Sequence, residues 1–150
     1  ETSGIVLIGK TIDSYKALQK QFLSRTAQKK YVALLERPID SYLGEINLPL
    51  TLDIFNRPRQ LVCFDKGKSA LTKYRLIDNN NRTRVEFFPV TGRTHQLRVH
   101  AAHQKGLNSP ILGDPLYGNS NERLFLHAAY FAFRHPQTNE IIEVDSTVPF

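Results

Sequence analysis

The sequence predicts an α+β fold: a mixed, mostly antiparallel sheet with few helices. Two observations carry this. Strand-like runs face each other across turn-forming residues twice, Leu71–Asp78 with Arg82–Val90 and Leu124–Arg134 with Glu140–Asp145. Only two stretches have helical character, so strands dominate. At 150 residues, 41% hydrophobic and 23% charged, the chain suits one domain, residues 1–150, with a real core. No internal repeat, low-complexity segment or linker divides it.

In chain order, Gly4–Gly9 reads as a short buried strand, an apolar run too brief for a helix. Thr11 or Asp13 caps a helix running to about Arg25, with Tyr15, Leu18, Phe22 and Leu23 as its apolar stripe. Lys30–Glu36 is the next strand, stopped by Arg37-Pro38. Residues 38–60, with Pro38, Pro49, Pro58 and Gly44, read as mostly loop containing a short strand. Asn79-Asn80-Asn81 supplies residues that tolerate the left-handed region in a tight turn, making a hairpin of the strands on either side. Residues 95–104 look helical, with Gly106 beyond the end as a C-cap. Pro136 to Asn139 turns the last hairpin.

The formal net charge is +6 and the pI about 9.6. Such a balance favours polyanionic partners, because Lys and Arg beside phosphates release condensed counterions. From Arg57 to Arg75 six basic residues (Arg57, Arg59, Lys66, Lys68, Lys73, Arg75) stand against one acid, Asp65. This run is either a nucleic-acid contact or a solvated face. No apolar run approaches the roughly 18 residues needed to span a bilayer, and a membrane surface is the weaker partner. The one cysteine, Cys63, lies in an apolar stretch and reads as a buried small hydrophobe; its solitary state fits a reducing, cytoplasmic compartment.

The stretch with most chemistry is Thr91 to His100. Gly92 permits a sharp turn from the strand ending at Val90 into a helix N-terminus, where free N–H groups favour a phosphate. Arg93 and Thr94 add donors there, and Arg98 follows Thr94 by one helical turn on roughly the same face. On spacing alone this is an anion site or a capped helix with surface arginines.

The run Gly92-Arg93-Thr94-His95-Gln96-Leu97-Arg98-Val99-His100 resembles the most characteristic motif of RluA-type pseudouridine synthases. Similar blocks follow in the family's order: Pro110-Ile111-Leu112-Gly113-Asp114 with Tyr117-Gly118, then Leu124-Phe125-Leu126-His127-Ala128. Lys30-Tyr31-Val32-Ala33 resembles the earlier strand that carries the family's active-site tyrosine. Asn56-Arg57-Pro58-Arg59-Gln60 with Gly67-Lys68 is similar to the compact branch that acts on ribosomal and transfer RNA. The family's signature His-Arg-Leu-Asp-x-x-Thr-Ser-Gly is matched only at its tail, Thr2-Ser3-Gly4. The catalytic aspartate would then lie two residues before Glu1, and none of the chain's own aspartates matches it. With no initiator Met and an abrupt start, the chain reads as the C-terminal part of the catalytic domain, inactive alone.

The resemblance implies the pseudouridine synthase fold and isomerisation of uridine in RNA without a cofactor. It implies that Tyr31 packs on the target base and Leu126 lies on the base's other side. Arg98 pairs with the catalytic aspartate, and in this chain would lack that partner. Arg93, Thr94 and His95 meet the substrate, and Arg57, Arg59, Lys66 and Lys68 the RNA beyond it. A truncated sheet would expose an edge through which the chain self-associates. A metal site at His95, His100 and His103 is not expected, since no His-Glu-x-x-His is present and Cys63 is distant in sequence. His127 and His135 read as structural. The competing reading is a non-catalytic RNA-binding module using the basic loop and the Arg93 turn.

Overall fold

A computed structural model describes residues 1–150. Its strands are β1 (Ser3–Gly4), β2 (Gln28–Leu35), β3 (Leu43–Asn47), β4 (Leu50–Leu52), β5 (Gln60–Val62), β6 (Leu71–Asp78), β7 (Thr83–Pro89), β8 (Leu126–Arg134) and β9 (Ile141–Asp145). The helices are α1 (Ile12–Leu23) and α2 (Gln96–Ala102). The main sheet has seven strands in the order β1-β8-β2-β7-β6-β3, with β9 also paired to β8. Only β1 runs parallel to its neighbour. β4 and β5 form a separate two-stranded ribbon, so the stretch 38–60, expected to be mostly loop with one short strand, holds two, β3 and β4, and ends where β5 begins.

Side chains alternate across a strand, and on β2 this puts Lys29, Tyr31, Ala33 and Leu35 on one face. There Ala33 and Leu35 join Val85, Phe87, Leu97, Ala101, Ile111 and Leu126 in the core, with Tyr31 packed against it. Leu97 and Ala101 are four residues apart on α2, the spacing that turns both toward the sheet. On the opposite face, Lys30 and Arg75 both pair with the buried Glu86 of β7, at 3.5 and 2.5 Å. The register of β2 against β8 shifts between Lys30 and Tyr31: Lys30 opposes Tyr130, but Tyr31 opposes Ala128. Ala129 is therefore an extra residue, a bulge beside Tyr31.

α1 begins as expected, Thr11 accepting the Ser14 N–H at 3.2 Å, and its Phe22 packs edge-on against Phe131 of β8 at 5.8 Å. Four expectations are corrected. The buried strand over Gly4–Gly9 is only the two residues of β1, and Val6 and Ile8 are 77% and 75% exposed. Gly4, at φ +99°, turns the chain off β8, whose next edge positions are taken by β9. No asparagine of 79–81 is left-handed; the two that are, Asn108 and Asn139, lie elsewhere, Asn139 in the last hairpin. α2 stops at Ala102, and Gly106 serves close packing, since a Cβ there would lie 1.9 Å from the His100 carbonyl oxygen. Cys63 is half-buried rather than buried.

Candidate active site

One cavity of about 350 Å³ opens on the core face of the sheet, within the roughly 300–1,000 Å³ range of ligand sites. Tyr31 of β2 and Leu126 of β8 line it with Arg93, His95 and Arg98, and so does Glu1. Five of the six residues expected at the substrate thus share one pocket with the start of the chain. Thr94 does not line it; it borders an adjoining depression with Lys66, Lys68, Gly92 and Arg93.

Arg98 is fixed by its own chemistry. Its Nε and Nη2 donate to the Asp114 carboxylate at 2.8 and 2.6 Å, the two-pronged geometry that suits guanidinium to carboxylate. Nη1 reaches Glu1 Oε2 at 2.8 Å on the cavity side. Arg98, expected to lack the family's catalytic aspartate, has other carboxylates instead: a buried guanidinium needs compensation, and Asp114, itself fully buried, supplies it. Burial lowers the Arg98 pKa, but the Asp114 carboxylate outweighs it and the net direction is upward. Asp114 also accepts the Leu116 and Tyr117 N–H groups at 2.9 and 3.1 Å, so one side chain shapes the 114–117 turn and aims Arg98.

Tyr117 lies beneath this pair, its ring centre 5.4 Å from the guanidinium carbon of Arg98 and 5.4 Å from that of Arg59. Its hydroxyl accepts the Gln60 N–H at 2.7 Å, tying the β4–β5 ribbon to the site. The same hydroxyl meets His95 Nδ1 at 2.9 Å. Burial first, then the Arg98 charge, lowers the His95 pKa, which favours the neutral ring. Burial raises the pKa of Tyr31, which keeps its phenol protonated.

The turn before α2 differs from the expected one. Gly92 has no positive φ; the left-handed residue is His95, at φ 52°. Gln96 holds the turn. Its Oε1 accepts from Thr91 Oγ1 at 2.7 Å and from the Arg93 N–H at 3.0 Å, and its Nε2 donates to Leu71 O and Thr72 Oγ1 at 3.0 and 2.9 Å. Thr72 in turn meets His100 Nδ1 at 2.9 Å, while His100 Nε2 donates to Leu48 O at 3.1 Å. The Arg93 N–H is thus engaged internally rather than offered to a phosphate. The three histidines also part company, His100 buried with both ring nitrogens engaged and His95 held at Tyr117.

Of the six basic residues from Arg57 to Arg75, Lys73 and Arg75 are paired, with Glu45 at 3.2 Å and Glu86 at 2.5 Å. Arg57, Arg59, Lys66 and Lys68 enter no ion pair. Arg59 borders a depression beside Tyr117, Lys66 and Lys68 border the one next to Arg93, and Arg57 lines neither.

A family profile described as RNA pseudouridylate synthase matches residues 1–103. The dual-specificity RNA pseudouridine synthase RluA of Pasteurella multocida is 42% identical over 156 residues, covering 99% of this chain and 70% of that protein. The chain belongs to the RNA pseudouridylate synthase family. The Escherichia coli protein of the same name is 39% identical over 142 residues, covering 90% of this chain and 64% of its own length. The solved structure of human RNA pseudouridylate synthase domain containing 1 superposes with a TM-score of 0.77 at 27% identity, covering 94% of this chain and 62% of that one. Human RNA pseudouridylate synthase domain containing 4, at 22% identity and a TM-score of 0.74, shares the fold. This is the synthase fold, a mostly antiparallel sheet with two helices.

Sequence patterns do not single out Lys29, Gln96, Asp114 and Tyr117 as site residues. Asp114 and Tyr117 stand inside a family-like block, but only coordinates tie them to Arg98. Lys29 carries a signal, lying two residues before Tyr31 and so on the same face of a strand.

Proposed function

We propose that this chain forms the uridine pocket of an RNA pseudouridine synthase acting on ribosomal and transfer RNA, in a cytoplasmic setting. The reaction breaks the C1′–N1 bond, rotates the uracil and joins C1′ to C5; the C5 hydrogen leaves as a proton and N1 gains one. No electrons are exchanged with a partner, so no cofactor enters. The observation that carries the reading is the shared cavity of Tyr31, Arg98 and Leu126. Tyr31 offers a flat ring to the uracil and Leu126 an apolar wall opposite, while Arg98 presents a guanidinium that pairs with and orients a carboxylate in the cavity. Arg93 and His95 border the sugar and phosphate, with Thr94 just outside. To reach such a pocket the target nucleotide leaves its stack. Arg57, Arg59, Lys66 and Lys68, outside every internal ion pair, take the flanking RNA backbone.

The one carboxylate lining the cavity is Glu1. The family signature assigns chemistry to an aspartate two residues ahead of it, so this chain by itself is expected to be silent. Tritium release from RNA made with 5-tritiated uridine tests this. No release by the chain alone, and release by a chain extended with the family's signature segment, is the expected pair of results. RNA binding without release by the extended chain would instead favour the binding-module reading. The self-association expected from the sequence would use the outer edges at β3 or β9, and sedimentation over a concentration series detects it.

A further inference from the structure

We propose that Lys29 is a phosphate-binding residue of this site, receiving the phosphodiester of the nucleotide whose base enters the cavity. The proposal rests on the uridine-pocket reading and adds a group to it. Lys29 lines the same cavity as Tyr31 and also the adjoining depression bordered by Phe22, Gly92 and Arg93. It is half-buried, yet its ammonium enters no ion pair and no hydrogen bond; its nearest aromatic company is Phe22, 5.4 Å from Nζ to ring centre. The next residue shows the contrast, since Lys30 on the opposite face pairs with Glu86.

A cation withdrawn from water without a counter-charge is unfavourable, and burial lowers the pKa of Lys29 accordingly. Such a group gains most from an anion arriving with the substrate. Uracil is neutral, so the anion available is the phosphate attached to it. The turn opposite leaves room for one: a Cβ built on Gly92 would stand 3.4 Å from the ammonium, and glycine keeps that space open. Arg93, whose Nε is held by the Ser69 carbonyl at 3.1 Å, brings a second cation to the same rim.

Uridine and uridine 5′-monophosphate, titrated into isotope-labelled protein and followed by NMR, separate base from phosphate. Both probes are expected to shift the Tyr31 and Leu126 resonances, with the monophosphate binding about tenfold tighter, the worth of one charge-assisted hydrogen bond. In Lys29→Gln that preference is expected to fall below about twofold, and in Lys29→Arg to be retained, with uridine affinity unchanged in both. Lys29→Gln is also expected to melt no lower than the parent, because it removes an uncompensated cation; a merely structural lysine would give a lower melting temperature. If Lys29→Gln keeps the monophosphate preference, the Lys29 assignment fails and the uridine pocket stands. If neither probe shifts Tyr31 or Leu126, the pocket reading fails and takes this proposal with it.

Discussion

Replacing Asp114 by alanine tests the arrangement on which the site depends. The substitution leaves the Arg98 side chain, 6% exposed, with Glu1 alone for compensation, and Glu1 is 56% exposed. Removing one partner of a buried ion pair costs about 3–5 kcal/mol. The Leu116 and Tyr117 N–H groups lose their acceptor as well, at about 0.5–1.5 kcal/mol each. The sum, about 4–8 kcal/mol, is a large part of the roughly 5–15 kcal/mol that holds a domain folded. At this chain length it lowers the melting temperature by about 10–30 °C. Asp114→Asn keeps an oxygen for the two N–H groups and loses the charge, so it is expected to cost about half as much. Combining it with Arg98→Met removes both charges and is expected to be less damaging than the sum of the singles by at least about 2 kcal/mol. The chain has no tryptophan, so far-UV circular dichroism in urea is the suitable probe. A single variant within about 1 kcal/mol of the parent, or a cycle that adds without coupling, would refute the idea that this pair anchors the site.

Acid should weaken the fold through His100. Burial depresses its folded pKa below the ordinary value near 6.5, so its contribution is fully present above about pH 6.5 and is lost as the pH falls toward and through the depressed value. Melting temperature is expected to fall between pH 7.5 and 5 with a contribution of up to about 1.4 kcal/mol per pH unit from this group, and His100→Asn to flatten that part of the slope. Gly4→Ala places a Cβ 2.3 Å from the Ala128 carbonyl oxygen at φ +99°, and is expected to cost more than about 1 kcal/mol by thermal melting. Gly92→Ala meets only the end of Lys29 and is expected to melt as the parent does. RNA affinity measured across salt is expected to fall with log[salt]. Arg59→Gln, Lys66→Gln and Lys68→Gln are expected to reduce the slope by about 0.7 for each single-strand phosphate left without its cation.

What is legible in the sequence follows from the range of the forces involved. The β6–β7 hairpin, the β8–β9 hairpin and the Thr11 cap are set by alternation, turn residues and a side chain reaching its own helix, and all stand close to where those signals place them. The strand expected over Gly4–Gly9 fails because an apolar run is silent about competition: β9 occupies the edge of β8 that a longer β1 would need. Tyr31, Arg98 and Leu126 are recognisable from motif resemblance. Asp114 as the partner of Arg98 is not, because an ion pair 16 residues apart, from a helix to a turn, leaves no periodic trace. Gln96 is equally silent, since a glutamine inside a helix looks the same whether it faces water or organises a turn through four hydrogen bonds.

The bulge at Ala129 shows how a local irregularity serves the site. Before it, Leu126 and Ala128 share the cavity face with Ala33 and Tyr31; after it, Phe131 lies on that face opposite Lys29 and packs on Phe22. With strict two-residue alternation and no extra residue, one of these two sets would point through the sheet, because a slip of one position sends every later side chain to the other side. The extra residue lets β8 give an even-numbered wall to the cavity and an odd-numbered anchor to α1. That anchor sets Phe22 beside Lys29, so the same irregularity that frames Tyr31 also shields the ammonium from water. The two halves of the proposed site, an apolar slot for the base and a cation for its phosphate, therefore share one structural cause.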